Sequence, residues 1–136
     1  MSEFTDKRYV VTGAASGIGA AVAQRLLADG AQVYTLDRNV PTFEATAHVE
    51  VDLANPNSID AALEQLEGSF DGLLNVAGIP GTAPSELVFA VNSLAVRHLA
   101  EAFFERLNPG GSITGVSSTA GFGWPARLDA IRDLLA

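Results

Sequence analysis

The chain has 136 residues, 48% hydrophobic and 18% charged, a balance expected of one globular domain rather than a disordered segment. Its formal charge is −8, and Lys7 is its only lysine, which argues against the Lys/Arg clusters that nucleic acid or an anionic membrane surface demands. It contains no cysteine, so a disulfide framework and a thiolate metal site are excluded.

Residues 1–6 are polar and acidic, without the basic and apolar regions of a signal peptide, and no apolar run of membrane-spanning length is expected. Together these features predict a cytoplasmic protein. His48 and His98 are expected at a strand edge and on a helix surface. Neither has metal-ligand spacing to an acidic partner, and no metal site is predicted.

In chain order, a β-branched run (Val10, Val11, Thr12) leads straight into glycines spaced G-x-x-x-G-x-G at Gly13, Gly17 and Gly19. An apolar face at Ile18, Val22 and Leu26 follows, which predicts strand, tight turn and helix to about Asp29, with Gly30 as the stop. Glycines let the backbone bend and let a ligand approach, and the free N–H groups of the helix's first turn favour a pyrophosphate. Alone, such a turn could equally bind nothing. Residues 32–36 and 47–51 read as the second and third strands. Asn55-Pro56 reads as an N-cap with proline at the first helical position, opening a helix that carries Ile59, Leu63 and Leu66 and ends at Gly68. Residues 73–76 form an apolar fourth strand, and a long helical region is predicted over 84–107. Gly110-Gly111 turns the chain into a fifth strand, 112–116.

Strands alternating with helices imply a parallel sheet covered on both faces, with ligands at the C-terminal strand ends. Asp37, Asp52, Asn75 and Ser117 all fall at that edge. Asp37 ends the second strand 18 residues after Gly19. A carboxylate there can accept both ribose hydroxyls of an adenosine and repel a 2′-phosphate, which favours NAD. Arg38 pulls the other way, because a guanidinium beside the ribose could welcome that phosphate. Asp52 could meet an adenine amino group or be a plain loop residue.

These residues together resemble the short-chain dehydrogenase/reductase family over positions 9–121. Thr12–Gly19 is similar to the family's T-G-x-x-x-G-x-G cofactor loop, and Asp52-Leu53 to its adenine-ring dipeptide. Asn75-Val76-Ala77-Gly78 resembles N-N-A-G with Val76 for the second Asn, and Asn92 falls where the family places an active-site Asn. Ser117–Gly121 resembles the segment that holds the catalytic serine, which would be Ser118. The resemblance implies a Rossmann-type α/β fold, a doubly wound parallel sheet of about five strands, over one domain spanning 1–136. It implies cofactor contacts from Gly13, Ser16, Gly17, Ile18, Gly19, Asp37, Asp52, Leu53, Asn75, Ala77 and Gly78. It also implies hydride transfer between NAD(H) and a small-molecule alcohol or ketone, with Ser118 orienting the carbonyl and Asn92 holding a water in the proton relay. A homo-oligomer is expected.

One departure matters. The family's Y-x-x-x-K should follow the serine by a dozen or so positions, but 13 residues beyond Ser118 stands Ile131. The only tyrosines, Tyr9 and Tyr34, and the only lysine, Lys7, all precede residue 35. Without that pair a ketone lacks its general acid, a contribution of about 10²–10⁴-fold in rate. Residues 121–136, with Trp124-Pro125 leading into an apolar face at Leu128, Ile131 and Leu135, resemble an inserted helix. Residues 82–87 also resemble the same bacterial branch, which contains 3α-hydroxysteroid dehydrogenase/carbonyl reductase and coniferyl-alcohol dehydrogenase. A hydroxysteroid or aromatic alcohol substrate is then implied, with the 136 residues forming the N-terminal part of a longer enzyme. The rival expectation is a non-catalytic NAD-binding module. A Rossmann methyltransferase would make Ser118 and Asn92 coincidences.

Overall fold

Five β-branched or apolar runs pair as parallel strands in the computed structural model, which describes residues 2–136. Met1, the first residue of the expected polar N-terminal segment, lies outside the described residues. The strands are β1 (Arg8–Thr12), β2 (Gln32–Asp37), β3 (Ala47–Glu50), β4 (Phe70–Asn75) and β5 (Leu107–Gly115), in the order β3-β2-β1-β4-β5. Every neighbouring pair is parallel. The chain thus winds outward from β1 to β3, then returns to the other side of β1 for β4. The direction reverses between β1 and β4, where a doubly wound sheet opens a crevice at its C-terminal edge. This is the Rossmann-type architecture expected.

Alternating residues send Val10 and Val11 to opposite faces of β1, so two apolar layers grow from one strand. One layer joins Val10, Leu36, Phe70 and Leu73 to Ile59 and Leu63 of α2 (Pro56–Glu64) and to Leu99 and Phe103 of α4 (Ala95–Phe104). The other joins Val11 and Val33 to Ala23 and Leu26 of α1 (Gly17–Ala28). Phe70 and Phe103 are fully buried with ring centroids 5.5 Å apart, and Tyr34 meets Phe70 edge-on at 5.3 Å. At the N-terminal strand ends the Arg8 guanidinium lies over the Tyr34 and Phe70 rings.

The helix ends follow local chemistry. Asn55 accepts from the Asn57 N–H at 3.0 Å, with Pro56 beginning α2 as expected. That helix stops at Glu64 rather than Gly68. The Arg106 guanidinium reaches across and donates to the Leu63 and Leu66 carbonyls at 3.0 and 3.1 Å, satisfying groups that the helix end exposes. Sequence local to the helix does not contain that donor.

Three further differences from expectation have physical causes. The fifth strand begins at Leu107, before Gly110-Gly111, because β5 carries the glycine turn as a bulge: between Phe70↔Leu107 and Gly72↔Ser112, two residues of β4 span five of β5. The long helical region divides into α3 (Ser85–Phe89), a π-helical turn (Ala90–Leu94) and α4. Ser85–Phe104 spans 20 residues, and an 18-residue window within it has mean hydropathy 1.3, so by length and composition it is long and apolar enough to cross a membrane, contrary to expectation. One stripe of it, Val91, Ala95, Leu99 and Phe103, is buried in this fold. Finally, the apolar face at Leu128, Ile131 and Leu135 lies on α5 (Leu128–Leu135), behind a 3₁₀ segment (Thr119–Arg127). Leu135 is 80% exposed, and α5 leaves Ile113 and Val116 of the β5 edge uncovered.

The two adjacent phenylalanines of α4 provide a test of this packing. Phe103→Ala should cost about 3–5 kcal/mol in denaturant unfolding. Phe104→Ala, at a ring 79% exposed, should stay within about 0.5 kcal/mol.

Candidate functional site

The crevice at the β1/β4 reversal is a cleft of about 400 Å³. Its floor is the turn from β1 into α1. Gly13 adopts φ +67°, and its N–H donates to the Leu36 carbonyl at 2.9 Å. A Cβ at Gly13 would stand 2.7 Å from the Ala77 Cα, and one at Gly19 would overlap the Gly13 carbonyl oxygen. The turn, helix and β4 therefore meet backbone to backbone. Gly17, at φ +56°, is different: a Cβ there would meet nothing within 4 Å. Its open side is room for a ligand.

The Ser16 carbonyl accepts from the Ala20 N–H, the first turn-closing bond of α1. The N–H groups of Gly17, Ile18 and Gly19 precede that bond and have no partner within the helix. Ser16 caps the helix without a side-chain bond, so its hydroxyl is free as well. Among the described residues these donors converge with the positive end of the α1 dipole on one wall of the cleft, a geometry suited to a pyrophosphate.

The adjoining side of the cleft comes from the ends of β2 and β3. Asp37 places one carboxylate oxygen 3.0 Å from the Ala15 N–H and the other 2.9 Å from the Asn39 N–H. Asp52 accepts from the Ala54 N–H at 3.0 Å, while its own N–H donates to the Ser58 hydroxyl at 2.9 Å. Leu36, Val51, Leu53, Ile79, Leu87 and Val91 make an apolar lining suited to a flat ring, and Arg38 is on the same wall. The fit to a dinucleotide rests on the open Gly17 cradle, the unpaired helix donors and the carboxylate one strand away.

Of the expected cofactor contacts, Gly13, Ser16, Gly17, Ile18, Gly19, Asp37, Asp52, Leu53, Ala77 and Gly78 all line this cleft. Asn75 does not. As the last residue of β4 it shares a face with Leu73, on the α2/α4 side, and its side chain is buried with both amide atoms unpartnered. Asn92 sits in the π-helical turn and clamps the cleft rim: its Oδ1 accepts from the Ile79 N–H and its Nδ2 donates to the Ile79 carbonyl, both at 2.9 Å. Ser118 lies beyond β5, outside the cleft lining. It caps the 3₁₀ segment, its Oγ accepting from the Ala120 N–H at 3.1 Å, which leaves the hydroxyl proton free to donate.

Thr12 was not singled out by reading the sequence as a site residue, yet it fastens the cleft together. Its buried hydroxyl oxygen accepts from the Val76 and Ala77 N–H groups, both at 3.0 Å, tying the end of β4 to β1. The signal available was a β-branched hydroxyl immediately before the first glycine. His98 pairs with Asp60 at 2.8 Å between α4 and α2, and His48 bonds Thr35 at 3.0 Å. Among the described residues no three His, Cys, Asp or Glu side chains are grouped to hold a metal.

The glycines should separate by role. Gly19→Ala, with its Cβ driven into the Gly13 carbonyl, should lower the thermal midpoint without any ligand present. Gly17→Ala has room and should cost only the backbone strain of its positive φ, about 1–2 kcal/mol, while obstructing ligand. Thermal unfolding and calorimetric titration of the two variants separate these effects.

Comparison with known proteins agrees with this geometry. The family model described as short chain dehydrogenase matches residues 7–128. The coniferyl-alcohol dehydrogenase of a Pseudomonas species is 48% identical over 132 residues, covering 97% of this chain and 52% of that protein. The chain spans about half the length of the curated relatives it matches. Among solved structures, a short-chain dehydrogenase from Leptospira borgpetersenii with bound NAD+ superposes with a TM-score of 0.76 at 25% identity, over 88% of this chain and 54% of that one. A blue fluorescent protein from a metagenomic library in complex with NADPH gives 0.73 at 26% identity, over 87% and 58%. By motif, fold and sequence, then, this chain belongs to the short-chain dehydrogenase family.

Proposed function

We propose that this chain forms the cofactor-binding part of an NAD-dependent oxidoreductase acting on an aromatic alcohol and its carbonyl product. The observation that carries the cofactor choice is Asp37, a carboxylate fixed at the end of β2 by its bonds to the Ala15 and Asn39 N–H groups, in the same cleft as the helix donors. It can accept from both ribose hydroxyls, and it would repel a 2′-phosphate in a partly dry site. The substrate class draws on the 48% identity to coniferyl-alcohol dehydrogenase. The exposed Phe89, Leu94 and Phe104 on the helix through 85–104 support a homo-oligomer within the same proposal.

When bound, the nicotinamide supplies a hydride acceptor or donor for the alcohol carbon. The chain's own residues do the rest of what is visible. Gly17, Ile18 and Gly19 would hold the pyrophosphate through backbone N–H groups, and Asp37 would hold the ribose. Asn92 keeps the rim residue Ile79 in place, and its position at the rim suits the proposed relay water. Ser118, whose oxygen already accepts from Ala120, has its proton available for a substrate oxygen. Neither tyrosine can protonate that oxygen. Tyr9 is on β1, and the Tyr34 hydroxyl takes bonds from Arg8 at the opposite end of the sheet. In this reading the acid comes from a part of the protein outside these 136 residues.

Calorimetric titration should show tighter binding of NAD(H) than of NADP(H). Equal or reversed affinity would assign control of the site to Arg38. Residues 1–136 alone should show no measurable oxidation of coniferyl alcohol. A protein continuing through a Y-x-x-x-K helix should turn it over, and Ser118→Ala should remove most of that activity, about 10²-fold or more. Turnover by the 136 residues alone, lost on Ser118→Ala, would overturn the assignment of the acid.

A further inference from the structure

The glycine-rich turn is held by few bonds for a segment that must present donors accurately. Among the described residues, the N–H groups of Ala14, Ala15 and Ser16 have one partner between them, and it is the Asp37 carboxylate, 3.0 Å from Ala15. The second oxygen of that carboxylate holds the Asn39 N–H at 2.9 Å, so the group is braced from both sides and cannot rotate freely. A carboxylate has about four acceptor directions, so two such bonds leave room for ribose hydroxyls. The turn it holds contains Gly13 and Gly17 in the left-handed region, residues that lose the most freedom on ordering.

We propose that Asp37 is a positioning residue for the phosphate-binding turn, in addition to the ribose contact on which the proposed function rests. Its bond to Ala15 orders the turn before ligand arrives, so that the N–H groups of Gly17, Ile18 and Gly19 already face the pyrophosphate. Replacing Asp37 to admit a 2′-phosphate then loosens the phosphate site as well, and weakens every dinucleotide.

Two effects of removing Asp37 have opposite signs, which makes the idea testable. Loss of a nearby negative charge should by itself tighten binding of a diphosphate. Loss of the tether should weaken it. The experiment compares ADP with its dideoxyribose analogue, which has no hydroxyls for Asp37 to accept from, on the wild-type protein and on Asp37→Ala, by calorimetry. Amide hydrogen exchange over residues 13–19 is followed without ligand. The expected result is roughly tenfold weaker binding of the analogue to Asp37→Ala, with exchange at Ala15 faster by a similar factor. An analogue that binds the variant as well as or better than wild type, with exchange unchanged, would overturn the proposal and leave Asp37 a ribose contact only.

Asp37→Asn covers the case in which the alanine variant fails to fold. It offers one acceptor oxygen to two backbone donors, so Ala15 or Asn39 must exchange faster, and neither doing so also overturns the proposal. If wild type bound neither ADP nor NAD, the functional reading would fall, while the exchange data would still decide whether Asp37 orders the turn.

Discussion

Everything at the ligand edge of this domain depends on one close approach of backbone to backbone. Gly13 lies so near Ala77 that a methyl group would not fit, and Gly19 lies just as close to the Gly13 carbonyl. The approach draws α1 down onto the sheet at the place where strand order reverses. Thr12 makes it durable by taking both N–H groups of the facing segment on one buried hydroxyl oxygen. Push these backbones apart by a side chain, and the unpaired donors at the start of α1 no longer face the ends of β2 and β3. The geometry of a pyrophosphate site is thus a consequence of packing density, with the charge arrangement following from it.

The other rim is controlled differently. The helix through 85–104 must press Val91, Ala95, Leu99 and Phe103 onto the sheet, yet also bring a side chain to the loop after β4. A regular helix fixes both faces at once. The π-helical turn at Ala90–Leu94 inserts extra backbone and redirects the helix between its two tasks, placing Asn92 across Ile79 with two bonds of 2.9 Å. This makes the Asn92 side chain a clamp on the cleft rim. It shares with Asp37 the pattern of a polar side chain spent on holding a neighbouring loop's backbone.

The edge formed by β5 and α5 contrasts with this. Ile113, Val116, Phe122, Trp124, Leu134 and Leu135 are all more than a third exposed, whereas the β1–β4 side has a dense core on both faces. The dinucleotide cleft is built wholly from the well-packed side. Ser118 stands at the junction, already ordered as a cap for the 3₁₀ segment although its surroundings are open.

Local sequence determined the parts whose cause is local. The β-branched run before three glycines determined the β1–turn–α1 unit, because only glycine takes φ of +67° and +56° there without cost. Asn55-Pro56 determined the start of α2 through a cap bond two residues long, and strand–helix alternation determined a parallel sheet with its polar residues at one edge. Tertiary structure decided whatever needed a partner distant in the chain. It ended α2 early with Arg106, some forty residues on, and gave β5 a bulge that only its pairing with β4 defines. It turned Asn75 into the interior, and it spent Asn92 on Ile79 and Asp37 on Ala15. Residue type and spacing disclose which groups can accept a hydrogen bond. Which donor reaches them first is settled only when the fold brings two loops within 3 Å, and no periodicity in the sequence encodes that distance.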